Sequence, residues 1–283
     1  MIIWWQNLPQ TIQPIAFTVG FISIYWYALF FIGGFFLSLS VAFFFIQRDH
    51  LSFPQEKLID LFLTLFLGAV IGAKVGYILL YNFPLFLSSP LAFLSPYDFE
   101  RHLWVGMAGM SFHGGLIGGI LMLFFFTKKE KWSFWRTTDL ISLVLPPALF
   151  FGRLGNFFNG ELWGRTTEKV WGMFFSYAPS PYVLRHPSSL YESFFEGIVL
   201  FLVVIFVRKK MPFAGALSIL FLALYAGIRF VLEYLREPDP QIGLLVNGYF
   251  SLGQILSLLM FLFSLLLFLW LRKKNYAIMK QVN

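Results

Sequence analysis

Apolar runs of 18 residues or more recur along almost the whole chain. At about 1.5 Å per helical residue, one such run crosses a hydrocarbon layer of about 30 Å. Lipid offers no partner to backbone N–H and C=O groups, so a spanning segment has to satisfy them internally, as a helix does. Composition points the same way. Of the 283 residues 58% are hydrophobic and 12% charged, against roughly 45–50% apolar and about 25% charged in soluble domains. These features exclude an ordinary soluble protein and predict an all-α, polytopic integral membrane protein. The 38 phenylalanines and 23 glycines suit aromatic contact with lipid and close helix approach. With no cysteine, the chain has no disulfide, no thiolate-held metal and no enzyme thiol for a covalent intermediate.

The runs predict seven transmembrane helices at about 18–46, 58–82, 109–127, 138–156, 189–207, 213–235 and 251–271, forming a single domain over residues 1–283. The first run has no basic residue before it and no small-residue cleavage site after it, so it reads as a retained span. The net charge of +7 lies in short clusters between runs and not along one face, which argues for topology and against nucleic acid. Thirteen basic residues fall on alternate loops: Arg48, Lys57, the four between 128 and 136, Arg208 to Lys210, Arg272 to Lys274, and Lys280. The opposite loops carry five, namely Arg101, Arg165, Lys169, Arg185 and Arg236. That asymmetry predicts an outside N-terminus and a cytoplasmic C-terminus. Residues 83–108, interrupted by Pro84, Pro90 and Pro96, read as an interfacial arm, and residues 157–188 as a small outer (periplasmic or extracellular) head. No periodic internal repeat of the inverted-repeat transporter type is evident.

Ionisable residues within or beside spans are costly, so they mark where function is to be sought. Arg153 and Asn156 stand in Gly152-Arg153-Leu154-Gly155-Asn156-Phe157-Phe158-Asn159-Gly160-Glu161-Leu162-Trp163-Gly164-Arg165. One guanidinium and two carboxamides there offer many donors to phosphate or carbonyl oxygens. The alternative is interface anchoring by a snorkelling arginine and Trp163. Arg229 and Glu233 are four apart, on one helix face, where the carboxylate can orient the guanidinium. His113, flanked by Ser111 and Gly114-Gly115, has the side chain best matched to proton transfer near neutral pH, although the glycines alone describe a helix-packing face. Glu192 and Glu196 also share a face, with Arg185 or an intramembrane arginine as possible partners. Asp60 and Asp139 read as helix caps. His50, His102, His113 and His186 assemble no zinc motif.

Taken together, these segments resemble the prolipoprotein diacylglyceryl transferase family. The likeness is carried by Trp26-Tyr27, Gly72-Ala73-Lys74-Val75-Gly76-Tyr77, Ser111-Phe112-His113-Gly114-Gly115, the Gly152-to-Arg165 string, His186-Pro187-Ser188-Ser189-Leu190-Tyr191-Glu192, and Arg229-Phe230 with Glu233 and Arg236-Glu237-Pro238-Asp239. It implies a seven-span enzyme of the bacterial inner or plasma membrane. Such an enzyme moves the diacylglyceryl group of phosphatidylglycerol to the lipobox cysteine thiol of a preprolipoprotein and releases glycerol phosphate. By the same likeness His113 corresponds to the base and Arg153 and Arg229 to the essential arginines around the phosphate. Tyr27, Asn156, Glu161, Gly164 and Glu233 correspond to supporting substrate-binding residues. Neither metal nor cofactor is implied; the substrates are the partners, in the lipid bilayer, and any stable protein partner stays open. Lys74 stands where the family usually has arginine, and Ser189 where glutamine is common. A different class, a lipid or phosphate-bearing solute transporter whose arginines bind the transported phosphate, is the competing expectation.

Overall fold

The computed structural model describes residues 2–20, 22–81, 83–88, 97–98, 103–104, 111–238 and 243–282. Pro90, Pro96, Arg101, His102 and Asp239, and most of the expected arm at 83–108, lie outside them. The chain divides into two compact units: residues 1–18, 23–42 and 138–283 form one, and residues 19–22 and 43–137 the other.

The fold is dominated by helices, as uninterrupted apolar sequence requires where water is absent. Among the described residues, five are long and apolar enough to cross a membrane: Trp26–Arg48, Gln55–Leu79, Phe134–Phe158, Ser188–Lys210 and Leu252–Asn275. In chain order the elements are α1 (Ile2–Thr11), β1 (Ile15–Val19), β2 (Ile22–Tyr25), α2 (Trp26–Arg48), α3 (Leu58–Tyr81), α4 (Phe83–Ser88), β3 (Tyr97–Asp98), β4 (Leu103–Trp104) and α5 (Phe112–Lys129). They continue with α6 (Phe134–Phe158), α7 (Ser188–Glu192), a π-helical segment (Ser193–Val199), α8 (Leu200–Val207), α9 (Ala216–Leu232), β5 (Leu244–Leu245), β6 (Phe250–Ser251) and α10 (Leu252–Val282). The expected first span, 18–46, begins later than its apolar run. Residues 15–19 and 22–25, rich in β-branched and aromatic side chains, pair as two strands, with Gly20 in the left-handed region at φ 61°. Trp26 N–H then donates to Pro14 O at 3.0 Å, and the helix starts there.

In the unit of residues 43–137, α3 and α5 pack through glycines. A methyl group on Gly72 would lie 2.8 Å from Cα of Gly118, and one on Gly76 2.7 Å from Cα of Gly114. Without side chains in the seam the backbones meet directly, the small-residue packing that replaces the hydrophobic effect between helices in lipid. Ser111 caps α5, its Oγ accepting from Gly114 N–H at 3.3 Å, and its own N–H donates to Ala73 O at 2.9 Å. Asp60 pairs with Lys57 at 3.5 Å.

In the other unit, Gly34 of α2 meets Ala148 and Phe151 of α6, and Phe30 lies 4.9 Å from Phe158 between ring centroids. The irregular segment 159–187 is built on Phe157, Met173, Phe175 and Ala178, with Trp5 and Leu8 of α1 and Ile12 just after it packed against them. Trp5 Nε1–H donates to Trp171 O at 3.1 Å, and Gln6 accepts from Phe174 N–H at 2.8 Å. Asp139 caps a neighbouring helix and not its own. Its two oxygens accept from Gly215 N–H at 2.7 Å and Ser218 N–H at 2.8 Å at the start of α9, satisfying donors that no helical carbonyl reaches.

Because the α3–α5 seam has no room for a side chain, Gly118→Val is expected to destabilise the folded protein by about 1–3 kcal/mol through overpacking. Gly119→Ala, whose added methyl meets nothing within 4 Å, should leave thermal unfolding in detergent nearly unchanged. Equal shifts for the two variants would refute the glycine-seam account.

Candidate active site

The densest polar cluster in the molecule is carried by α6, the helix from Ser188 to Lys210, α9 and the start of α10, all within one unit. Its centre is two carboxylates, Glu192 and Glu196, each fully buried. The four-residue spacing places both on one face, and the π-helical segment begins between them. One wide turn of this kind is a recurrent feature of functional sites. Their distance from α6 is set by small residues. A methyl on Gly197 would lie 2.5 Å from Phe150 Cβ, and Ser193 Oγ donates to Phe150 O at 3.0 Å. With the helices this close at Phe150, Arg153, one turn further along α6, reaches the carboxylates.

Arg153 donates through Nε to Glu196 Oε2 at 3.0 Å, and its Nη1 forms an ion pair with Glu192 Oε2 at 3.0 Å. Arg229 of α9 reaches Glu192 Oε1 at 2.6 Å and lies 3.7 Å from Glu196 Oε1 through Nη1, while its Nη2 meets Glu233 Oε2 at 2.7 Å. Arg236 closes the group, with Nη1 3.2 Å from Glu192 Oε1. Three guanidiniums and three carboxylates thus balance formally, as groups this poorly solvated must. Tyr225, one turn before Arg229, interacts electrostatically with Glu196 and Arg153. Arg153 keeps 18% of its side-chain surface exposed and Arg229 15%. Among the described residues, no ion pair or hydrogen bond occupies Nη2 of Arg153 or Nε of Arg229, so each keeps a donor for an anion.

Glu233 is itself held from α10. Ser251 Oγ donates to Glu233 Oε1 at 3.0 Å, and accepts from Gln254 N–H at 3.1 Å, while Gln254 Oε1 accepts from Ser251 N–H at 3.0 Å. This reciprocal Ser-x-x-Gln arrangement is a capping box that also anchors a site carboxylate. Gly253 permits it, since a methyl there would lie 2.5 Å from Glu233 Oε1.

The remaining expected residues approach from segment 152–165. Asn159 donates to Glu161 Oε1 at 2.8 Å and accepts from Tyr27 N–H at 3.3 Å, and the Tyr27 phenol interacts electrostatically with Glu161 and Arg153. Gly155 lets Tyr27 approach, a methyl there lying 3.1 Å from Tyr27 Cα. Asn156 lies one turn after Arg153, and its carbonyl accepts from Glu161 N–H at 2.9 Å. Gly164 enters through its backbone. Its N–H donates to His186 O at 2.8 Å, and a methyl would sit 2.5 Å from Leu235 O and 2.6 Å from His186 O. Arg185, buried, donates from Nη1 to Gly164 O and to Glu237 Oε2, each at 3.1 Å, and Arg165 Nε donates to Arg236 O at 3.0 Å. These bonds tie the end of α9 to segment 159–187 and hold the backbone that carries Arg236. Burial and Lys169 push the His186 imidazole below its ordinary pKa, leaving it neutral at pH 7, with Nδ1 3.2 Å from Tyr191 Oη.

Arg153, Arg229 and Glu233 therefore meet in one cluster, with Tyr27 electrostatically linked both to Arg153 and to Glu161. His113, in the first turn of α5, belongs to the other unit, and its side chain lies outside the described residues. Arg236 and Tyr225 were not among the expected site residues. Tyr225 lies on the Arg229 face by spacing, four residues before it, which is the signal that finds it, whereas Arg236 lies beyond the end of α9, bridged to Gly164, where helical spacing gives no signal. Glu192 and Glu196 are partnered by Arg153 and Arg229, and Glu192 also by Arg236, whereas Arg185 pairs with Glu237.

Removing Glu192 takes a carboxylate from three guanidiniums and leaves Arg236 with no ion pair among the described residues. Glu192→Ala is therefore expected to cost about 3–5 kcal/mol, whereas Asp60→Asn, at an ion pair 40% and 57% exposed, should stay within about 1 kcal/mol. Thermal unfolding of purified protein in detergent measures both, and an equally small shift for Glu192→Ala would show that the arginines do not depend on it.

The family model described as prolipoprotein diacylglyceryl transferase matches residues 14–270. A relative from Chlorobaculum tepidum named phosphatidylglycerol–prolipoprotein diacylglyceryl transferase is 42% identical over 273 residues, covering 96% of this chain and 94% of its own length. Relatives of the same name from Photobacterium profundum and Aliivibrio salmonicida are 43% and 45% identical, covering 93% and 95% of this chain and 94% and 90% of their own lengths. Likeness of that extent runs through every element that builds the arginine–glutamate cluster, and the chain belongs to the prolipoprotein diacylglyceryl transferase family.

Proposed function

We propose that this chain transfers the diacylglyceryl group of phosphatidylglycerol to the lipobox cysteine thiol of a preprolipoprotein, the first step of lipoprotein maturation. The observation that carries this reading is the pair of partly buried arginines, Arg153 and Arg229, each keeping a donor beyond its carboxylate partners. The family membership supports it. In this reading the phosphodiester of the lipid takes the remaining donors of the two arginines. The acceptor sulfur attacks the glyceryl carbon bonded to phosphate, so an S–C bond forms as the C–O bond breaks, leaving a thioether on the peptide. The leaving oxygen carries its electron pair onto glycerol phosphate, where guanidiniums in a secluded site stabilise the growing charge more strongly than water does. A cysteine thiol of pKa near 8.5 is mostly protonated at neutral pH, and His113 accepts its proton. Glu233 orients Arg229, and Tyr27, Asn156 and Glu161 shape the surroundings of Arg153. Gly164 supplies the backbone approach.

The membrane arrangement that goes with this chemistry has seven spans. The five long helices are joined by α5, of 18 residues, and α9, of 17, which at about 1.5 Å per residue come close to the hydrocarbon thickness. The N-terminus lies outside and the C-terminus in the cytoplasm, following the basic loops. Residues 157–188 form an outer head, and both units serve one catalytic domain of the bacterial inner or plasma membrane. Support for a single domain is the family match, which runs through both units.

Purified chain reconstituted with phosphatidylglycerol and a lipobox peptide should add one diacylglyceryl mass to the peptide, and nothing to its cysteine-free counterpart. Arg153→Ala is expected to lower turnover by about 10²–10³-fold, and His113→Gln to abolish most of it without loss of folded protein. Lipid flux without a covalent product would establish the transporter instead.

A further inference from the structure

We infer that Glu196 is a positioning residue for the transfer, acting through Arg153; the inference rests on the reading of Arg153 as a phosphate ligand. A guanidinium offers five donors in one plane, so fixing one edge fixes where the others point. Glu196 takes the Nε–H of Arg153 at 3.0 Å and Glu192 pairs with Nη1 at 3.0 Å, which together set the plane and leave Nη2, the nitrogen between those two positions, without a hydrogen bond among the described residues. Glu192 is shared among three arginines, whereas Glu196 makes its one hydrogen bond to Arg153 and stands 3.7 Å from Arg229. Glu196 is fully buried, and its Oε1, like Oε2 of Glu192 and of Glu233, has no hydrogen-bond partner among the described residues. A buried carboxylate oxygen left without a donor costs stability, so the fold holds Glu196 in place for something other than its own satisfaction. The backbone agrees. Glu196 lies within the π-helical turn next to Gly197, whose contact with Phe150 brings this segment against the helix of Arg153.

The hydrogen bond to Nε is the feature that matters, and an amide oxygen can accept it as a carboxylate does. Glu196→Ala is expected to lower kcat/KM for phosphatidylglycerol by about 10–100-fold, the scale of a displaced binding group. Glu196→Gln should recover most of that loss. In an Arg153→Lys background, which has no Nε–H fork to orient, adding Glu196→Ala should change kcat/KM by less than about twofold, because residues acting through one another are not additive. Each variant is purified and its thermal unfolding followed beside the reconstituted peptide assay. An equal loss from Glu196→Ala in both backgrounds overturns the inference, as does full activity of folded Glu196→Ala. So does a Glu196→Gln protein that folds normally and is as slow as the alanine variant. If Glu196→Ala fails to fold, the glutamine variant decides between these outcomes. Arg153→Lys at the wild-type rate would instead overturn the phosphate-ligand reading itself.

Discussion

Two carboxylates with no access to solvent, one helical turn apart, cannot both stay ionised unless cations are brought to them. Everything about the arginine–glutamate cluster answers to that constraint. Glu192 draws Arg153, Arg229 and Arg236 from α6, α9 and the chain just beyond α9, and Glu196 holds the Nε of Arg153. Glu233 then supplies the third negative charge, and is itself secured by Ser251 at the head of α10. Swapping such a network for well-packed apolar residues often costs nothing in stability, whereas removing one member costs several kcal/mol. A cluster of this kind is therefore poorly explained as a stabilising device. It is well explained as a set of fixed cations whose remaining donors await an anion.

Close backbone approach is what makes the cluster possible. Ionic contacts of about 3 Å between helices require those helices to come nearer than large side chains permit. Gly197 and Ser193 meet Phe150 where α6 passes the π-helical turn, Gly253 makes room for the Glu233 carboxylate, and Gly164 lets segment 159–187 lie against Leu235. In the other unit the same device serves packing alone, with Gly72, Gly76, Gly114 and Gly118 forming the α3–α5 seam. Glycine is thus used for two purposes: to associate helices in lipid, and to bring charged side chains within hydrogen-bonding distance.

Much of this was readable from local pattern. The four-residue spacing of Arg229 and Glu233 announced their ion pair, and Glu192 and Glu196 announced a shared acidic face. Ser251 and Gln254 stood in the Ser-x-x-Gln spacing of a capping box before an apolar run. The strand pair at 15–25 was hidden because its residues are as apolar as the helix that follows, and a hydropathy window does not separate the two. Arg236 was concealed by its role in the loop-charge count, where a base near a span end reads as a topological marker. Asp139 read as a cap, but the donors it satisfies lie 76 and 79 residues later, at the start of α9.

The sequence by itself determined that the chain is helical and membrane-bound, where its polar minority lies, and which family it resembles. All of these follow from properties carried within a few turns of chain: hydropathy, periodicity and short motifs. The tertiary structure alone decided which arginine answers which glutamate. Arg153 and Glu196 are 43 residues apart, and Arg185, nearer in sequence to both glutamates, pairs instead with Glu237. Charge does not discriminate between such partners, since every arginine attracts every carboxylate. The choice falls to the glycine and serine contacts that set how near two helices can come, a property of the packed molecule and not of either helix.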